Sequence, residues 1–439
     1  MPWLILIAVS VLGAIAIPQN WRRRLAAVPF SLGVVLLAIQ WNAPAGIKLL
    51  AASMLMLLLV KVAALYARRG TNAGAWLLPY LAPWPGVDPE PFQRKESSSE
   101  DEPKRFAAGW GRMWIGAVLF SAVVYFSPAL ASWAVGTLAI LAVLVMVHLG
   151  FSDMLTAVYR LFGWKVDPAF DEPWKAKSLL ELWSRRWNRP FVEMNQLLLI
   201  PWANRVIGRR RSWIIAFVAS GVLHEMAITY PAGGGYGLPL SYFLIQAALI
   251  AVERRYSIRG SWWALLAFII PVPLLFPPVF LDGVIAPLIR TLHTMASDWM
   301  SSLQPETLVV ALGIVSLAPV IASAQVPTKL RWREEFGKLT GLNRRIVWVY
   351  GSYVLAMIIG LGAFLVFFSQ EIVSRERAAV GVVGFAALFW AGRIIVDAVA
   401  FREEDWPSGP ALAIGRRVLH TLFLVLAGFY VGLFVWLVT

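Results

Sequence analysis

The sequence predicts an all-α, polytopic integral membrane protein, and three observations predict it. Apolar residues make up 59% of the 439 and charged residues only 15%, where an average soluble domain is roughly a quarter charged. The apolar residues fall in runs long enough to cross a hydrocarbon core, which takes about 20 residues. Trp is abundant, at 22, as expected of a chain that meets many membrane–water interfaces.

The runs lie near residues 2–17, 25–42, 47–67, 114–133, 135–157, 212–230, 237–252, 262–281, 306–323, 346–368, 378–400 and 414–439. Backbone groups inside lipid must pair within their own segment, so each run is expected to be a helix. The first run has no basic residues before it. Its cluster Trp21-Arg22-Arg23-Arg24 follows it, so it reads as a span and not as a secretory leader. The expected organisation is a core over residues 1–304 with about eight spans and an additional transmembrane module over 305–439 with about four. No internal repeat is evident.

Basic residues set the expected orientation. With the N-terminus outside, 33 of the 39 Lys and Arg fall in cytoplasmic loops and three in outer loops. Two of those cytoplasmic loops are long. Residues 68–113 include the mixed-charge stretch QRKESSSEDEPKR, residues 93–105, and that part is expected to be a flexible loop. Residues 158–211 mix Trp, Phe and Leu with Arg, and are expected to form amphipathic helices on or in the membrane surface.

Composition also excludes chemistry. There is no Cys, hence no disulfide framework, thiol nucleophile or Cys-based metal site. The net charge of +14 would suggest nucleic acid in a soluble protein. Here the cations sit between spans, so membrane topology explains them. The four His are His148, His224, His293 and His420, so any imidazole chemistry has few candidates.

His224 stands out. It lies in ASGVLHEMAITYP, 12 residues beyond Ser212 where its span begins. At 1.5 Å per residue that is about 18 Å into a core of about 30 Å. Ionisable residues at that depth are costly and mark pathways and sites. A neutral imidazole in a cavity can take a proton from an alcohol, as a general base does. Ser220 shares its helix face at i, i+4, and Gly221 leaves room for close approach. Glu225 points elsewhere and is expected to bond a neighbouring element. The second stretch is LLELWSRRWNRPF, Leu179 to Phe191. Trp183 and Trp187 are expected as i, i+4 neighbours, as are Arg185 and Arg189. Pro190 disfavours helix at Arg189, so Asn188 is expected near a helix end with its amide free. An interfacial Trp belt with snorkelling Arg explains every residue there except the Asn.

These two stretches, 36 residues apart from Asn188 to His224, resemble the membrane-bound O-acyltransferase (MBOAT) superfamily, wax synthase-like branch, which is related to the acyl-CoA:diacylglycerol and sterol acyltransferases. YLAPWPGVDPEPF at Tyr80 to Phe92 and FDEPW at Phe170 to Trp174 resemble the same branch. The likeness covers roughly residues 1–300. It implies an MBOAT-like helical fold, His224 as the catalytic His and Asn188 as the second signature polar residue, preceded by Trp187. It also implies substrate contacts at Ser220 and Glu225. Gln246, in the next span, is a further candidate, set against an ordinary helix–helix hydrogen bond.

The implied reaction takes an acyl group from acyl-CoA, a substrate and not a cofactor, to a lipid alcohol, a long-chain alcohol or diacylglycerol. The CoA phosphates would meet Arg185, Arg186 and Arg189, since the guanidinium fork suits phosphate. Lys175 and Lys177 are further candidates. No cofactor, metal or nucleic acid is expected; membrane lipids are partners, and an oligomer is left open. Other acceptors (a lysophospholipid, a sterol, a polysaccharide) and a non-catalytic lipid-binding or transport role are the alternatives. A bacterial cytoplasmic membrane is favoured over the endoplasmic reticulum.

The remaining polar residues have plainer readings. His148, with Asp153 five residues on, lines the same passage or makes a structural bond. His293 is expected at the surface and His420 in a structural role. Arg393 and Asp397 are expected to neutralise each other at i, i+4.

Overall fold

The computed structural model describes residues 45–68, 76–81, 84–95, 101–401 and 410–439. The runs expected at 2–17 and 25–42 lie outside the described residues. Among the described residues the secondary structure is helical, without a strand. Eight helices among the described residues are long and apolar enough to cross a membrane: Glu102–Phe126, Ser132–Leu161, Ser212–Ala232, Pro278–Ser302, Pro305–Lys329, Gly341–Phe367, Arg377–Ala400 and Ile414–Val438. The chain divides into two compact units, Met1–Thr294 and Met295–Thr439.

Three helix boundaries differ from the sequence expectation. Residues 102–113, expected in a cytoplasmic loop whose part up to residue 105 would be flexible, open the Glu102–Phe126 helix, whose first turn carries Glu102 and a Pro. That first turn tolerates Pro because its N–H groups have no partner inside the helix. Ser261–Leu275 is a shorter apolar helix. The chain then breaks at Pro277 and Pro278, and Pro278–Ser302 is one continuous helix, long and apolar enough to cross a membrane, where an outer loop with an amphipathic stretch was expected. Leu238–Tyr256 runs 19 residues, about 28 Å at helical rise. It is not one of the eight, because Glu253, Arg254 and Arg255 all fall in its last turn; Gln246 and Glu253 stand on its buried face.

In the first unit, Glu102–Phe126 and Ser132–Leu161 cross closely because glycines face each other. A methyl at Gly116 would lie 2.4 Å from the Met146 backbone nitrogen, and one at Gly150 would lie 2.5 Å from that of Met113. Small residues at such crossings are how membrane helices gain van der Waals contact without a hydrophobic driving force. Loop 84–95 is held in place and not free. Trp84, Val87 and Phe92 are buried, and Tyr80 and Tyr159 meet Phe92 edge-on. Lys61, fully buried in Ala45–Ala67, donates to the carbonyls of Tyr80 and Trp84.

The second unit packs around Trp390, Leu365, Val383, Leu426 and Tyr430. Ser316 and Tyr430 share a hydrogen bond of 2.9 Å. Arg393 pairs with Asp397 at 3.2 Å, as the spacing suggested, and His420 also bonds the same carboxylate. His293, expected at the surface, is half-buried, with Nδ1 3.1 Å from the Val124 carbonyl.

Candidate active site

The segment around Asn188 is built by two short backbone ties. Asp171 N–H donates to Arg186 O, and Arg189 N–H donates to Ala169 O, both at 2.9 Å. They pin FDEPW against SRRWNR. Helix from Leu179 ends at Arg186, Trp187 is extended, and Asn188 takes the left-handed conformation at φ 46°, ψ 57°. A new helix, Arg189–Met194, starts there with Pro190 in its first turn. So the expected single helix carrying Trp183 with Trp187, and Arg185 with Arg189, is broken. The two Trp are joined through Phe268, on which both pack, at 5.4 and 4.6 Å. Asn is one of the few residues that tolerate this conformation, so the backbone gives a reason for Asn188 that the sequence did not. Its amide has no hydrogen-bond partner among the described residues.

The start of this segment rests on Glu253, which is fully buried. Its carboxylate accepts from the N–H groups of Leu179 at 2.5 Å and Leu180 at 3.3 Å, and from Trp263 Nε1 at 2.9 Å. A carboxylate at a helix N-terminus satisfies orphan donors and the helix dipole together. The sequence reading left Glu253 in a loop and missed this. Its one signal was a carboxylate at the end of an apolar run.

His224 ends the regular part of its span, and a π-helical stretch, Glu225–Thr229, follows. Such stretches frequently occur at functional sites. His224 Nδ1 lies 2.7 Å from the Ser220 carbonyl. A carbonyl only accepts, so Nδ1 carries the hydrogen, and in the neutral ring Nε2 keeps its lone pair. Nε2 has no partner among the described residues and is not among the sealed polar atoms, so it opens on accessible space. The ring of Phe243 lies 4.6 Å from the imidazole.

The other expected site residues are placed as follows. Ser220 is buried, and its hydroxyl bonds back to Ala216 O at 2.7 Å; its contribution to His224 is the carbonyl. Glu225 accepts from Leu240 N–H at 3.0 Å and from the Thr229 hydroxyl, so it caps the next helix with both oxygens engaged. Gln246 is fully buried and spans two helices, accepting from Trp183 Nε1 at 3.0 Å and donating to Ala267 O at 2.9 Å. Glu225 and Gln246 therefore present no free polar group to a substrate. Trp183, at 5.7 Å from Phe243, links the His224 wall to Phe268 and so to Trp187. Trp187 continues edge-on to Phe170 at 5.1 Å, and Phe170 to His148 at 5.4 Å. His148 lies in another π-helical stretch, Leu144–Phe151. Asp153 is not its partner, being paired with Arg105 and Arg112.

Beside Asn188 lies a polar cleft of about 380 Å³, lined by Asp171, Glu181, Ser184, Arg185, Arg186, Arg189, Val192, Glu193 and Gln196. The three expected arginines do converge on it, with unequal freedom. Arg186 is held by Glu181 at 2.6 Å, and Arg189 by Asp167. Arg185 is exposed and forms no ion pair among the described residues. Glu181 sits below the usual carboxylate range, first because the Lys177 N–H donates to it and then because of Arg186. Glu193, which the sequence reading did not single out, is raised above that range by burial. It accepts from the N–H groups of Val87 at 2.7 Å and Asp88 at 3.0 Å. One carboxylate thus joins the PGVDP loop to the helix that follows Asn188.

A membrane-spanning helical unit with an unpartnered imidazole nitrogen, an unpartnered amide and an arginine-lined cleft is the class of site that geometry defines. Comparison with known proteins agrees with the resemblance drawn from the motifs. The membrane bound O-acyl transferase family matches residues 165–245, a stretch that holds Asn188, His224 and every residue lining the cleft. An acyl-CoA–sterol O-acyltransferase of Arabidopsis thaliana is 32% identical over 24% of this chain and 34% of its own length. A long-chain-alcohol O-fatty-acyltransferase of Simmondsia chinensis is 30% identical over 21% of this chain and 28% of its own. A probable long-chain-alcohol O-fatty-acyltransferase of Arabidopsis thaliana is 34% identical over 16% and 23%. The chain resembles the wax synthase-like branch of the membrane-bound O-acyltransferases. It spans about a quarter to a third of the length of these curated relatives. No solved structure matches it.

Proposed function

We propose that this protein transfers a fatty acyl group from acyl-CoA to a lipid alcohol, forming a neutral lipid ester. The observation that carries the reading is His224: Nδ1 is committed to the Ser220 carbonyl, and Nε2 is unpartnered near mid-span. His224 Nε2 removes the proton of the acceptor hydroxyl. The oxygen attacks the thioester carbon, and the Asn188 amide donates to the developing oxyanion. The C–S bond then breaks, and the CoA sulfur leaves with the proton held by His224. The CoA phosphates sit at the cleft, where Arg185 is the cation without an ion-pair partner.

A long-chain alcohol is the acceptor that two of the relatives' names support, and a sterol is the acceptor that another supports. The unit bearing the cleft is the acyltransferase core, the four-helix unit an accessory module. The protein is placed in a bacterial cytoplasmic membrane with its N-terminus outside. Basic loops around residues 158–211 and 324–345 support that orientation.

The test supplies membranes with labelled palmitoyl-CoA and, separately, hexadecanol, diacylglycerol, a sterol or a lysophospholipid. Wild type is expected to form ester with one of them. His224→Ala is expected to lose turnover by about 10²- to 10⁴-fold, the worth of a positioned base, while still binding palmitoyl-CoA. Equal turnover in the variant, or no acylated acceptor with wild type, would overturn the proposal.

A further inference from the structure

A second basic surface lies apart from the cleft. Helix Ile200–Val206 leads into a turn that ends in Arg209, Arg210 and Arg211, all exposed. Trp202, Val206 and Ile207 on this stretch are exposed too. The next helix starts at Ser212, and its Trp213 ring lies 5.3 Å under the Arg254 guanidinium. That contact brings the last turn of Leu238–Tyr256, with exposed Arg254 and Arg255, alongside. Among the described residues, Arg254 alone of these five cations stacks on an aromatic ring. None of the five forms an ion pair among the described residues. The nearby carboxylate, Glu253, is fully buried and taken up by Leu179, Leu180 and Trp263, with only Arg259 near it at 3.7 Å.

Two helix ends at a membrane boundary therefore carry five unneutralised guanidinium groups beside an exposed Trp and aliphatic side chains. Topology alone asks for positive charge, which Lys supplies equally well. Every one of the five is Arg, whose planar fork binds phosphate oxygens in pairs. The surface is spread across two helix ends and an interfacial helix, a shape for several headgroups and not for one enclosed ligand. Juxtamembrane basic clusters of this kind attract anionic lipids. We propose that Arg209, Arg210, Arg211, Arg254 and Arg255 form a binding belt for the headgroups of anionic phospholipids.

The proposal does not depend on acyl transfer, because lipid binding is measured without turnover. Full-length protein in neutral detergent is titrated with fluorescent phosphatidylglycerol, and the label is competed with unlabelled phosphatidylglycerol, phosphatidylcholine, inorganic phosphate or palmitoyl-CoA. Wild type should bind, with only phosphatidylglycerol competing well. Each arginine removed should weaken binding about fivefold, so Arg209→Gln/Arg210→Gln/Arg211→Gln should lose on the order of a hundredfold. The corresponding triple Lys variant should recover part of it, and Arg185→Gln should bind as wild type does. Arg254→Gln/Arg255→Gln, scored with its melting temperature, gives the same reading should the triple variant fail to fold. Unchanged binding in both folded Gln variants, or equal competition by phosphatidylcholine, would overturn the belt. So would competition by palmitoyl-CoA together with loss in Arg185→Gln, which would make these arginines part of the donor cleft.

Discussion

Asn188 has two independent reasons to be Asn, and a pair of substitutions separates them. Its backbone is left-handed, at φ 46° and ψ 57°, which costs an ordinary residue about 1–2 kcal/mol. Its amide, without a partner among the described residues, is the proposed donor to the oxyanion. Asn188→Ala removes the amide and adds the backbone cost, so it should destabilise the protein by about 1–2 kcal/mol. Asn188→Gly removes the amide and keeps the conformation free of strain. Its stability should stay within about 1 kcal/mol of wild type, the entropic cost of a Gly. If the amide stabilises the oxyanion, both variants should lose about 10²- to 10³-fold in kcat, the worth of one such donor. The assay is CoA release by purified protein, with thermal unfolding of the same samples. Asn188→Gly turning over at the wild-type rate would refute the catalytic role and leave only the turn. A Gly variant melting as low as the Ala variant would show that the amide holds structure.

Glu193→Gln should raise the KM for acyl-CoA more than it lowers kcat, because it loosens the 84–90 loop at the cleft wall and leaves His224 intact; steady-state kinetics checks this. The raised pKa of Glu193 also fixes a sign: its contribution to stability is full below the ordinary Glu pKa of about 4.3 and is lost as pH rises through the folded value. Glu181 is the reverse case, its contribution present above about 4.3 and lost as pH falls through the lowered folded value. Melting curves against pH should therefore flatten on the acid side in Glu181→Gln. Gly116→Leu should destabilise the first unit by about 1–3 kcal/mol through overpacking at Met146, read as a lower melting temperature. Gln246→Leu should cost about 1–3 kcal/mol by stranding Trp183 Nε1 and Ala267 O, with kcat changed far less than in His224→Ala.

The helical class was legible because hydropathy acts locally: each apolar run must close its own backbone bonds, wherever its neighbours lie. The helix 278–302 was not, because its amphipathic residues read as a surface strip until Pro277 and Pro278 are seen to end the preceding helix. His224 and Asn188 were legible as polar residues where burial makes polarity costly. Their surroundings were not. Glu193 meets Val87 across more than a hundred residues of sequence, at a separation of 106, and no periodicity reports such a contact. The left-handed turn at Asn188 was half visible, since Pro190 marked a boundary but not its conformation.

The division among the polar groups is itself an argument about chemistry. Ser220, Glu225, Gln246, Glu253 and Lys61 all lie in or beside the spans, and each has named partners for its side chain. In an apolar surrounding those bonds are what make such residues tolerable. His224 Nε2, the Asn188 amide and the Arg185 guanidinium have no such partner among the described residues, a condition they share with the five belt arginines and the buried Asn195 Oδ1. In the proposed reaction they would take a proton, donate to the developing oxyanion and meet the CoA phosphates, the three functions that thioester transfer to an alcohol requires. His224, Asn188 and Arg185 fall within the 165–245 match, as do the paired Ser220 and Glu225, whereas Lys61 and the 84–90 loop lie outside it.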